Sequence, residues 1–175
     1  ALEAAGYDRD FDAIDPTTVV PRRPEPARRW QDVVVEGGTA LVPSGAAIDL
    51  GGIAKGWAAD RAAALVRGLP WFVVDAGGDM RVCGASGSPI EVAVGNPFEP
   101  GGELGRILIA EGAVATSSTL RRAWGERLHH LIDPRTSRPA RTGVVQATAV
   151  AATCAEAEVA AKRLVLGGVP LLDAI

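Results

Sequence analysis

Short apolar runs separated by turns rich in glycine, proline and aspartate dominate the chain, a spacing expected of β-strands more than of helices. QDVVVEGGTALVP (31–43) predicts two short strands around the turn EGGT. WFVVD (71–75) predicts a strand, AGGD a tight turn and MRVCG its return strand. IEVAVGNP and GRILIA predict two further strands. GAVATSS is another apolar strand, followed by a short polar helix, then LHHLIDP and VVQATAVAA as strands. Helical spacing is clear in two places. In residues 53–66, Trp57, Arg61 and Leu65 share one stripe and Ile53, Ala58 and Ala62 an adjoining one, with Gly68 where a C-cap belongs. The second is AEAEVAAKRLVLGG, which ends in glycine. Residues 15–30 (DPTTVVPRRPEPARRW) hold four prolines and a cluster of arginines, an irregular or extended connector. Strands outnumber helices and most are joined by short turns. The expected fold is α+β with a largely antiparallel sheet, one domain over residues 1–175 and no internal repeat of fixed period.

Composition narrows the function classes. With 175 residues, 47% of them hydrophobic, the chain can bury one ordinary core. A net charge of -3 gives no basic field and argues against nucleic acid as the main partner. Cys83 and Cys154 show neither a CxxC spacing nor a nearby histidine ligand pattern, so neither a disulfide framework nor a zinc site is indicated. No run of about 18 apolar residues predicts a membrane span. The chain starts at ALEAAGYDRD without methionine and stops at LLDAI within an apolar stretch, as expected of a piece of a longer protein.

Lys55 and Lys162 are the only lysines, and Lys55 sits in a glycine cluster, IDLGGIAKGW. This is neither a Walker phosphate loop nor a dinucleotide fingerprint. The physical ingredients of an anion site are nevertheless there. Gly51 and Gly52 allow close backbone approach, a helix begins near Ile53, and Lys55 adds a full charge in its first turn. The competing reading is a strand-to-helix turn with Lys55 solvated. In VVDAGGDMRV, Asp75 and Asp79 flank Gly77 and Gly78 in an expected hairpin turn. In AVATSSTLRR, Thr116, Ser117 and Ser118 lie between a strand and a predicted helix, placed to cap it or to contact a ligand. In HHLIDPRTSRP, adjacent residues on a strand point to opposite faces, so His129 and His130 cannot chelate one metal. They are the only histidines, and either is the default general base near neutral pH.

Together and in this order, IDLGGIAKG, DAGGD, VATSS and HHLIDPRTSRP resemble the motifs of the FAD:protein FMN transferase (ApbE-like) family, and AGYDRDF near the start resembles a further family segment. The resemblance covers essentially the whole chain. It implies an α+β, T-fold-like architecture of two intertwined subdomains with the flavin between them. It also implies transfer of FMN from FAD to a Thr or Ser hydroxyl of an acceptor protein, with release of AMP and assistance from Mg2+. Carried over to this sequence, Asp49 and Lys55 would contact FAD, and Ile132 would line the flavin pocket. Ala5, Gly6 and Tyr7 would supply a further flavin contact, and Asp79, Thr116 and Ser117 belong to the cofactor-binding set. His130 would activate the acceptor hydroxyl. The metal positions are Gly52, through its carbonyl, Glu158 and Lys162.

Three departures from the family pattern bear on these expectations. The metal motif Ala-Asp-Ala-x-x-Thr reads AEVAAK here, with Glu158 for Asp and Lys162 for Thr. An ammonium cannot ligate a cation, so Lys162 either supplies charge to the phosphates or pairs with Glu158 one helical turn away. Ser118 and Ser137 replace two glycines. The N-terminal third of the family is absent from the sequence. The rival functions are a flavin-binding protein of the same fold that does not transfer, and an FAD pyrophosphatase with water as acceptor. Family members often work on the outer face of the cytoplasmic membrane; the sequence leaves the compartment open between that face and the cytoplasm.

Overall fold

The computed structural model describes residues 2–15, 17, 30–125 and 128–174. The proline- and arginine-rich connector expected over 15–30 lies almost entirely outside the described residues. The chain forms two compact units, each assembled from separate stretches: Ala1–Leu50 with Ala123–Ala140, and Gly51–Arg122 with Arg141–Ile175.

The second unit contains helix α1 (Ala54–Leu65), strands β1 (Phe72–Asp75), β2 (Met80–Cys83), β3 (Ile90–Gly95), β4 (Glu103–Ile109), β5 (Glu111–Ser118) and β6 (Gln146–Ala151), and helix α2 (Cys154–Gly167). Strands β6, β5, β2 and β1 form a four-stranded sheet in that order, every pair antiparallel. Strands β3 and β4 pair with each other as a separate ribbon. The α+β class and the antiparallel sheet are therefore as the hydrophobic pattern predicts.

Strand β5 is buried on both faces, which follows from its unbroken run Gly112-Ala113-Val114-Ala115. On one face Ala113 and Ala115 pack with Ala59, Cys154 and Ala157 of the helices. On the other, Val114 and Val82 pack with Val92 and Ile109 of the β3–β4 ribbon. The helix-facing layer consists of small side chains, so helix and sheet approach closely. The same holds between the helices. The buried face of α1 is Gly56, Ala59 and Ala63, not either stripe marked by the larger residues. Trp57 is 60% exposed, with Arg61 6.0 Å over its ring, and Leu65 is 89% exposed. A Cβ placed on Gly56 would stand 2.5 Å from the Cys154 carbonyl oxygen, and this fit requires glycine there.

Helix α2 starts with a capping box that the sequence TCAE spells: the Thr153 side chain accepts from the Glu156 N–H while Glu156 reaches back. It ends at Gly168, whose φ of 73 with ψ of -172 is a backbone open chiefly to glycine and whose N–H donates to Leu164 O. Helix α1 stops differently. Its cap is Val66 at φ -105, and Gly68 plays no left-handed role. A second cap on α2 comes from outside its own sequence: Asp60, in the middle of α1, accepts from the Cys154 and Ala155 N–H groups at 2.8 and 3.0 Å.

The first unit contains the hairpin Val34–Glu36 with Thr39–Leu41, turning at Gly37 and Gly38 as expected. It also holds two more short ribbons, Ala123–Trp124 with Leu128–His129 and Ile132–Asp133 with Arg138–Pro139. Two expectations are corrected here. The described residues 119–125 form no helix: Ser118 Oγ accepts from Leu120 N–H, holding a bend, and the chain then enters the strand at Ala123. LHHLIDP is not one strand, because its halves pair with different partners and the ladder breaks at His130 and Leu131. Among the described residues no helix is long and apolar enough to cross a membrane.

Two outcomes follow from this packing. Gly56→Ala at an open helical position would stabilise by about 1 kcal/mol; here the new methyl meets backbone, and urea unfolding is expected to show a loss of roughly 1–3 kcal/mol. Cys154 is fully buried, and desolvation, then Asp60 and Glu158, push its thiol up to about 11. A thiol reagent at mildly alkaline pH is expected to titrate only Cys83 in the folded protein and both cysteines after denaturation. Fast reaction of both in the native state would contradict this burial.

Candidate functional site

Four charged side chains meet at the junction of α1, the β1–β2 turn and α2. Lys55 lies in the first turn of α1 and Asp79 immediately before β2. Glu158 and Lys162 lie one turn apart on α2. The Lys55 ammonium donates to Asp79 Oδ2 and stands 3.8 Å from Glu158 Oε1. Lys162 Nζ donates to that same Oε1 at 2.8 Å, and the Gly56 backbone N–H donates to Oε2 at 2.7 Å. The Glu158 and Asp79 side chains are almost wholly buried, at 1% and 3% exposure, whereas that of Lys55 is 41% exposed. Lys55 is thus the most exposed of these three side chains, with its ammonium held against the two buried carboxylates. Partial burial holds the Lys55 ammonium below its ordinary pKa; Glu158 opposes that shift, and Lys162 and Arg122 reinforce it.

The turn feeding Asp79 explains its placement. Asp75 Oδ1 accepts from Gly78 N–H at 2.6 Å, Ala76 N–H donates to Asp79 O, and Gly77 and Gly78 take φ of 72 and 93. The two aspartates therefore divide the work: Asp75 shapes the turn and Asp79 faces Lys55.

The expected metal positions also come together, but around an ammonium. A Cβ on Gly52 would lie 3.9 Å from Lys162 Cδ, so the Lys162 stem runs past Gly52 to reach Glu158. Magnesium demands several hard oxygen donors in near-octahedral array. Here Glu158 already receives hydrogen bonds on both oxygens, and two ammonium groups balance the two carboxylates. Among the described residues no group of three or more His, Cys, Asp or Glu is placed to hold a metal. The residues present do not fit a divalent cation.

Thr116 and Ser117 lie within β5 rather than before a helix. Thr116 is exposed, its hydroxyl 2.8 Å from that of Thr148 across the β5–β6 pair, and Ser117 is buried.

In the first unit, Ala5, Gly6 and Tyr7 converge on Trp124, which the sequence did not mark. Trp124 Nε1–H donates to Ala5 O at 3.0 Å, and its ring stacks on Tyr7 at 5.5 Å between centroids and 23° between planes. Gly6, at φ 91, ends the preceding 3-10 turn. Asp49 is exposed in this unit, so the two ends of the motif IDLGGIAK belong to different units.

The two histidines separate clearly. His129 is buried, with Nδ1 accepting from Leu131 N–H at 3.3 Å, which leaves Nε2 to donate to Ala140 O at 3.0 Å. Both ring nitrogens of His129 thus serve the local backbone. His130, half-buried in the break between two strands, remains as the candidate base. Ile132 is half-buried beside Asp133. The Asp133 carboxylate accepts from the Arg135 N–H and guanidinium and is held below its usual pKa, chiefly by those hydrogen bonds. Ser137, standing for a glycine, keeps the left-handed backbone at φ 54, while Ser118 continues a strand.

Comparison with known proteins agrees with these motifs. The ApbE family model matches residues 6–172. A FAD:protein FMN transferase of Rhodobacter capsulatus is 36% identical over 177 residues, covering 95% of this chain and 34% of that protein. One from Vibrio cholerae is 33% identical over 129 residues, covering 69% of this chain and 39% of its own length. The crystal structure of an ApbE protein from Thermotoga maritima superposes with a TM-score of 0.83 at 30% identity, over 99% of this chain and 60% of that one. The Vibrio cholerae flavin transferase ApbE gives a TM-score of 0.60 at 28% identity, over 79% and 46%. The chain spans about a third of the length of the curated relatives it matches. From the matched span, the shared motifs and the common fold, this chain belongs to the ApbE family.

Proposed function

We propose that this chain is part of a flavin transferase that moves FMN from FAD to a Thr or Ser hydroxyl of an acceptor protein and releases AMP. The observation that carries this reading is the ion-paired Lys55, its side chain 41% exposed, at the start of α1. It is fixed by Asp79 and Glu158, in the motif through which the family resemblance runs. A cation held at a helix start suits a diphosphate.

The roles follow the chemistry. The acceptor hydroxyl oxygen forms a bond to the FMN phosphorus. The P–O bond to the bridging oxygen breaks, and AMP leaves with that electron pair. His130 takes the hydroxyl proton, a task that His129 is too committed to the backbone to perform. Lys55 and Asp49 hold the diphosphate end of FAD. Asp79 keeps Lys55 in place, and Thr116 and Ser117 belong with them on the nucleotide. Ala5, Gly6, Tyr7 and Ile132 supply the surface for the flavin ring, with Tyr7 stiffened by Trp124. Such a reaction is mostly positioning and charge stabilisation. No step is routed through magnesium, which the residues at Gly52, Glu158 and Lys162 do not fit. A second reading, flavin binding without transfer, is favoured by the same lysine at a metal position.

Mass spectrometry of an acceptor protein incubated with FAD and the full-length protein distinguishes these readings. A gain of one FMN with release of AMP is expected. AMP without an adduct means hydrolysis, and bound flavin with neither means a carrier. Lys55→Ala is expected to weaken FAD binding by about tenfold or more. His130→Ala is expected to slow transfer by roughly a hundredfold or more with FAD affinity nearly unchanged. Transfer at the parent rate in both variants would remove these roles.

A further inference from the structure

Magnesium is the one group implied by the family resemblance that the residues present do not fit. From that disagreement we infer that Lys162 is a built-in replacement for the metal: this protein carries the cation covalently on α2 and binds its nucleotide without a divalent ion. The nucleotide half of this inference rests on the flavin reading above; the metal half does not.

Three observations carry it. First, Gly52, Glu158 and Lys162 do assemble, and what stands among them is the lysine itself. Its stem lies beside Gly52 and its head is 2.8 Å from Glu158 Oε1. Second, the charges balance within the group of four ion-paired side chains. Lys55, Asp79 and Glu158 alone leave one negative charge in excess, which calls for a cation; Lys162 supplies it. A divalent ion added to the four would instead bring two uncompensated positive charges beside two ammonium groups. Third, the replacement is preorganised. Lys162 and Glu158 are one helical turn apart, and Glu158 is pinned through Oε2 by the Gly56 N–H, so the head has a fixed place. A purely surface ion pair would lack that anchor, and here the lysine side chain is only 17% exposed. The deeper cation neutralises the buried carboxylate, which leaves more of the positive field of Lys55 for the phosphate side.

The test starts without flavin. Metal-free full-length protein is titrated with Mn2+, read by the loss of the free-ion electron paramagnetic resonance signal. The parent protein is expected to leave the ion free. Lys162→Thr, which restores an oxygen donor, and Lys162→Gln, which keeps a hydrogen-bond donor for Glu158 should the first variant fold poorly, are expected to bind it at least about tenfold more tightly. Lys162→Arg retains the charge and should behave as the parent. Thermal melts establish which variants are folded. Binding of Mn2+ by the parent as tight as by the folded variants would overturn the inference.

The second measurement is FAD affinity by flavin fluorescence in chelator and in Mg2+. The parent is expected to change by less than about twofold, and Lys162→Gln to lose roughly tenfold in chelator and recover it with Mg2+. Strengthening of the parent by Mg2+ to a similar extent, or a variant indifferent to both conditions, would equally overturn it. If the parent binds no FAD at all, the flavin reading falls, while the manganese titration still decides whether Lys162 excludes the metal.

Discussion

The buried carboxylate of Glu158 is the interaction on which the second unit turns. A charge removed from water must be paired and hydrogen-bonded or it is ruinous to stability. Glu158 meets that demand through the backbone N–H of Gly56 on one oxygen and two lysine ammonium groups about the other. Each of those partners fixes something else. The Gly56 contact ties the first turn of α1 to α2, Lys162 packs its largely buried side chain along α2, and Lys55 is held between Glu158 and Asp79. An apolar residue at 158 would not gather these groups.

That arrangement is possible only because the surrounding layers are thin. Alanines 59, 63, 113, 115, 157 and 161, with Gly56 and Cys154, make the faces along which helices and sheet meet. Small side chains bring backbones close, so polar main-chain groups of one element come within reach of side chains on the next. Asp60 capping α2 from the middle of α1 is a second product of the same closeness. Larger core residues would have given more apolar burial per contact but would have pushed the Gly56 N–H away from Glu158. The bulkier apolar packing sits on the opposite face of the sheet, where Val82, Val92, Ile109 and Val114 meet.

The first unit spends its polar groups on turns. Asp133 and Arg135 brace one, His129 stitches its ribbon to Ala140, and Ser137 accepts a left-handed backbone that glycine would adopt more easily. Around Trp124 the chain gathers Ala5, Gly6 and Tyr7 from its far end. Among the described residues, these contacts brace the turns of the first unit from within.

Sequence alone determined the elements whose signals are local. Period-two and continuous apolar runs marked the strands, the glycine pairs marked the hairpin turns, and alanine-rich segments ending in α2's glycine marked the helices. The four spaced motifs carried the family, and Asp79 with Lys55 were both within them. Tertiary structure decided what depends on distance between residues far apart in the chain. Which face of α1 is buried was hidden, because Trp57 and Leu65 look like core residues while the buried ones are the smallest. That Gly56, not Gly52, is the glycine with no room for a methyl depends on Cys154, nearly a hundred residues later. The break of LHHLIDP into two strands depends on which partner each half finds, and it leaves His129 within a ribbon and His130 outside one. Above all, AEVAAK could be read as metal-like charge or as a helix-surface ion pair. The fold brings Gly52 and Gly56 to Lys162 and Glu158, and buries the carboxylate. Burial and charge balance are properties of the packed neighbourhood, and no local pattern encodes them.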